Sequence, residues 1–162
     1  MSNEYFQELS DAEYGKLKDA IALITVLIAG ADGTIQKNEL DWAAKVTKIR
    51  SYNMSEDLKE FYKEVGIQYA DQLNEFFDSF PSTVEDRTRL ISERISQLDP
   101  ILAKLHPKVG ARLYKSYLSF AKHVAKASGG FLGFFSINKQ EAKLIGLPML
   151  TPIFFKSDEE EE

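Results

Sequence analysis

Apolar residues along this chain recur every third or fourth position and never alternate for long, the pattern of helices with a buried face rather than of half-buried strands. The first such run follows Ser10-Asp11-Ala12-Glu13, the spacing of a capping box in which the serine oxygen accepts from a backbone N–H and the glutamate reaches back. Tyr14, Leu17, Ile21, Ile24 and Ile28 then trace one face, and Leu23, Val26 and Leu27 widen it until the helix is apolar nearly all round. Such a helix belongs inside a core. Gly30 and Gly33 end it.

A second helix is expected over 38–50, with Leu40, Trp42, Ala43, Val46 and Ile49 inward. Ser55 is placed to cap a third, where Leu58, Phe61, Tyr62, Val65, Tyr69, Leu73, Phe76 and Phe80 keep helical spacing up to Pro81. Gly66 lies inside that run, and because glycine costs about 1 kcal/mol against alanine in a helix interior, a kink or break is expected there. Thr83 opens a fourth helix. Asp99-Pro100 reads as a new start, with aspartate as N-cap and proline at the first helical position. Pro107 begins a long helix ending near Ser128, and a short one is expected from Asn138. The five prolines fall between the helical patterns, where the missing N–H does no harm. The fold class is all-α: a single-domain bundle of about six to eight helices.

Length and composition narrow this further. With 162 residues, 44% of them hydrophobic, the chain suits one core better than two. It has no cysteine, which excludes disulfides, thiolate nucleophiles and Cys-ligated zinc. The start lacks the basic flank and apolar run of a secretory signal. The most apolar stretch, residues 20–31, falls well short of the ~20 residues that span a bilayer. A cytoplasmic protein is expected, with membrane association only at the surface.

Two turns echo each other. Ala31-Asp32-Gly33 leads to Glu39 at the start of the second helix, and Ala127-Ser128-Gly129 leads to Glu141 in the same position of the later one. The first matches positions 5, 6, 8 and 12 of a calcium-binding EF-hand loop, but positions 1 and 3 would be Ile28 and Gly30, which carry no carboxylate. A true EF-hand is therefore disfavoured. The pattern resembles the repeated turn of the tellurite-resistance protein B (TerB-like) family of small all-helical domains, over residues 10–146. The resemblance implies two related helix-turn-helix halves, a stress-related or envelope-associated binding role, and a cation patch at Asp32 and Glu39, with Glu141 as a weaker member. Two departures stand out: Ser128 replaces the family's aspartate, and the second turn is six residues longer. A purely local role competes with the metal role, since Glu39 and Glu141 stand where a carboxylate satisfies a helix N-terminus, and Asp32 where it stabilises a turn.

Charge is strongly polarised. Residues 1–99 hold 19 acids and 11 bases, residues 100–156 hold one acid and nine bases, and Asp158 to Glu162 add five acids. Lys108, Arg112, Lys115, Lys122 and Lys126 fall on one face of the long helix, opposite Leu113, Tyr117, Phe120 and Val124. A solvated back to a core helix explains this, and an anion-binding face is the functional alternative. Residues 131–135 add an aromatic loop suited to an anionic membrane surface. An acidic protein partner, a second copy in a homo-oligomer, or the chain's own tail at 157–162, expected to be disordered, would serve equally. Nucleic acid is disfavoured by the net charge of −5 and the lack of a reading motif.

No catalytic motif emerges. His106 and His123 are the only histidines, and the glycines at 129, 130 and 133 fit neither a P-loop nor a dinucleotide fingerprint. The sequence thus points to a non-catalytic helical domain without a certain cofactor, a divalent ion being the one candidate. The alternative is an adaptor working through the basic helix and aromatic loop.

Overall fold

The structure, a computed structural model, describes residues 4–30, 54–128 and 144–154. Every regular element among them is helical. A 3-10 turn, Glu4–Phe6, precedes α1 (Asp11–Ala29), α2 (Glu56–Ser79), α3 (Val84–Ser96), the single-turn α4 (Asp99–Leu102) and α5 (Pro107–Ser128). The helices expected over 38–50 and from 138, and with them the pairing of two related halves, lie outside the described residues. None of the described helices is long and apolar enough to cross a membrane.

The core is organised around α1. Its N-terminus carries the expected capping box: Ser10 Oγ accepts from the Glu13 N–H at 3.1 Å, and Glu13 Oε1 accepts from the Ser10 N–H at 2.9 Å. From Ala20 to Gly30 every residue is buried, because α2, α3 and α5 all pack against it. An apolar circumference is what such enclosure demands. Each fully buried isoleucine or leucine contributes about 1.5–3 kcal/mol of transfer free energy.

α2 runs for 24 residues without the break that Gly66 could have introduced. Gly66 lies on the exposed face, where a Cβ would meet nothing within 4 Å. On the opposite face Leu58, Phe61, Tyr62, Val65, Tyr69, Leu73 and Phe76 are buried, and that packing outweighs the local propensity cost. Phe61 also joins an aromatic cluster, with ring centroids 5.5 Å from Phe6 and 5.2 Å from Tyr62.

Three buried tyrosines close the triangle of long helices. The Tyr69 hydroxyl on α2 lies 2.6 Å from Thr25 Oγ1 on α1. Tyr62 on α2 donates to Ser116 Oγ on α5 at 2.8 Å. Tyr117 on α5 donates to the Leu17 carbonyl of α1 at 2.7 Å. Each pairwise contact thus holds at least one buried directional bond from a tyrosine hydroxyl, and slippage would leave that hydroxyl unsatisfied.

The start at Asp99 differs from the expected one. Leu98 is the N-cap and Asp99 is the first helical residue. Its carboxylate instead accepts two bonds from Thr151, from the backbone N–H at 2.9 Å and the hydroxyl at 2.8 Å. That tether holds the segment 144–154 against α4. Leu147 in this segment has φ 44°, a left-handed backbone unfavourable for leucine, and its side chain is fully buried.

Candidate functional site

The acidic turn of the sequence begins where α1 ends. Asp32, Glu39 and Glu141 lie outside the described residues, and Gly30 is the last described residue before the first turn. Gly30 closes α1, its N–H donating to the Val26 carbonyl at 3.0 Å. Its own carbonyl accepts from Arg87 Nη2 at 2.8 Å, while Arg87 Nη1 donates to the Ser82 carbonyl at 3.1 Å. Only 9% of Arg87 is exposed, and no carboxylate lies within salt-bridge distance of it among the described residues. The negative end of α1, with its orphan carbonyls, supplies the compensation that a buried cation needs.

Sequence reasoning missed Arg87, although a signal was present. Val84, Arg87, Ile91 and Ile95 share one face of α3, and arginine there occupies a position that the spacing reserves for an apolar side chain. Such an interruption marks a buried charge with a specific partner.

The basic stripe of α5 is less open than its spacing suggests. Leu113, Tyr117, Phe120 and Val124 are fully buried, as expected. Lys108, Arg112 and Lys115 are half-buried and Lys122 is exposed; the side chain of Lys126 lies outside the described residues. Arg112 reaches Asp57 Oδ2 at 3.1 Å, and Asp57 Oδ1 accepts from Ser55 Oγ at 2.5 Å. Ser55 therefore stands at the N-cap of α2 without bonding the helix backbone through its side chain. Its hydroxyl serves a buried carboxylate instead.

Both histidines have structural settings. His106 precedes α5, and its Nδ1 accepts from the Lys108 N–H at 3.1 Å, so the ring caps that helix. His123 is half-buried on α5. No group of three or more His, Asp or Glu side chains placed to hold a metal occurs among the described residues. The loop 131–135 and the tail 157–162 lie outside them.

One surface cleft stands apart. About 510 Å³ in volume, it lies between α4, the first turns of α5 and the C-terminal segment, and its lining, which includes Leu102, Leu105, Pro107, Gly110 and Ile153, is predominantly apolar. Phe154, the next residue, is 76% exposed.

Comparison with family models, with curated proteins and with solved structures gives no match for this chain.

Proposed function

We propose that this chain is a non-catalytic helical binding domain similar to the TerB-like group, with the turn after α1 as its ligand-facing end and a role in stress or tellurite-type resistance. In this reading a divalent cation is held by Asp32 and Glu39, with Glu141 from the second turn nearby. The supporting observation is the anchorage of Gly30. A buried arginine grips the carbonyl that precedes the turn, so the turn departs from a rigid support rather than from a frayed helix end. The guanidinium at the root of the turn repels a second cation brought near it, so weak binding is the expectation.

The experiment is thermal unfolding of metal-stripped protein with Ca²⁺, Mg²⁺ or Zn²⁺ added. Binding to the folded chain alone raises the midpoint by mass action, and Asp32→Asn and Glu39→Gln abolish the rise. No shift with any ion at millimolar concentration would remove the metal from the proposal.

A second reading, an adaptor for an anionic partner, draws on α5. Because the apolar face of that helix is spent in the core, it has no hydrophobic stripe left to insert into lipid. Contact through Lys108, Lys115, Lys122 and Lys126 would be electrostatic and lost at high salt. Co-sedimentation with anionic vesicles at low and high salt tests it directly.

A further inference from the structure

We propose that the cleft between α4, α5 and the segment 144–154 binds a small organic cation, a protonated amine carried on an aromatic or branched apolar body, with Asp99 as its counter-charge. The inference rests neither on the metal reading nor on the basic face of α5.

Asp99 is the one charged residue in a described lining that is otherwise apolar apart from Thr151. It is half-buried, and no cation lies within ion-pair distance of it among the described residues. Lys104, next to the lining residue Ala103, is paired with Glu13 instead. Lys108, next to Pro107, makes no ion pair with Asp99. A carboxylate offers about four acceptor positions, and the two bonds from Thr151 take one on each oxygen. Both oxygens keep room for a further donor. A partly desolvated negative charge at the edge of an apolar surface repels anions and gives a neutral molecule no electrostatic gain. It favours a cation whose body is apolar.

The neighbouring surfaces suit such a ligand. Leu102, Leu105, Gly110 and Ile153 supply apolar walls, and the volume of about 510 Å³ falls within the range of about 300–1,000 Å³ common to small-molecule sites. Tyr114 lies one turn beyond Gly110, on the face of α5 that Pro107 and Gly110 share. Burial, and next the charge of Asp99, push its hydroxyl above the ordinary tyrosine value, which marks phenol and carboxylate as neighbours. The phenol is therefore neutral at neutral pH, and recognition of the charge falls to Asp99. Because the two bonds from Thr151 hold the carboxylate, the counter-charge is oriented before a ligand arrives.

Phenethylamine, cationic at neutral pH, is the probe, and phenylethanol is its neutral counterpart. Each is titrated into the full-length chain and read from the amide resonances of Leu102, Leu105 and Gly110. Phenethylamine should shift these resonances saturably, weakened by salt and by about fivefold in Asp99→Asn. Phenylethanol should bind the native chain about fivefold more weakly than the amine. Ala103→Leu, which fills the cleft from an exposed lining position, should abolish the response. Thr151→Val removes one bond of the tether and keeps the carboxylate, so amine binding there should stay close to native. Equal weakening in Asp99→Asn and Thr151→Val would overturn the proposal. So would equal binding of phenylethanol and phenethylamine, a comparison on the native chain that stands even if Asp99→Asn does not fold. The absence of any saturable shift at millimolar phenethylamine would overturn it outright. Shifts at the cleft that follow protein concentration without amine, together with a doubling of mass, would do so too and would assign the cleft to a second copy.

Discussion

The guanidinium of Arg87 lies where the side chain of any residue other than glycine at position 30 would go. A Cβ on Gly30 would sit 2.9 Å from Arg87 Nη2 and 2.8 Å from the Val26 carbonyl oxygen. The backbone there is not left-handed, with φ −91°, so the requirement for glycine is steric. Gly30→Ala is expected to lose about 1–3 kcal/mol, the cost of overpacking a closed site. Arg87→Ala removes two charge-assisted bonds and is expected to lose about 3 kcal/mol. Arg87→Lys should recover only part of that, since an ammonium cannot span both carbonyls as a planar fork does. Urea unfolding measures all three.

Gly66 offers the opposite case. It sits in the exposed face of an unbroken helix with open space around it, so Gly66→Ala should stabilise the protein by about 0.5–1 kcal/mol. A loss of stability would mean that this stretch of α2 is covered in the folded protein.

The pair Asp57 and Arg112 ties α2 to α5. Asp57 is buried and Arg112 is partly exposed, with its side chain 25% accessible. Removing the arginine as Arg112→Met leaves the carboxylate with Ser55 as its remaining described partner, at an expected cost of about 2 kcal/mol after allowing for that exposure. The double variant Asp57→Asn, Arg112→Met should recover part of the loss, and a double-mutant cycle reads the coupling.

Alkali should unfold the protein through its tyrosines. Burial pushes the Tyr69 hydroxyl up, opposed only in part by its bond to Thr25, and burial likewise raises Tyr117. The unfolded chain then releases these protons near the ordinary tyrosine value of 10.0, while the folded chain retains them. Stability is therefore whole below about pH 10 and falls as pH rises above it. Absorbance near 295 nm should show these two hydroxyls ionising only together with loss of helical signal. At the acid end, the hydrogen bond from Lys104 holds Glu13 below the usual carboxylate value. That contribution is present above about pH 4.5 and is lost as pH falls through the lowered value.

Thr25→Val isolates the buried network from its pH dependence. It leaves the Tyr69 hydroxyl without its described partner in an apolar seam, at an expected cost of about 1–3 kcal/mol. Hydrogen exchange along α1 and α2 should rise together.

What could be read from the amino-acid order alone was whatever depends on neighbours three or four residues apart. The Ser10–Glu13 box, the all-round apolar character of α1, the inward residues of α2 and the buried face of α5 all have this local origin, because helix geometry places those positions on one side. The tertiary structure decided the partners of the polar groups. Arg87 meets Gly30 across 57 positions, Tyr117 meets Leu17 across 100, and Asp99 holds Thr151 rather than its own helix end. Gly66 is tolerated in α2 for the same reason, since the packing of the opposite face is not a local property. A hydrogen-bonding side chain takes its partner from whichever helix lies against it, and that is set by how apolar faces distant in the chain are buried together.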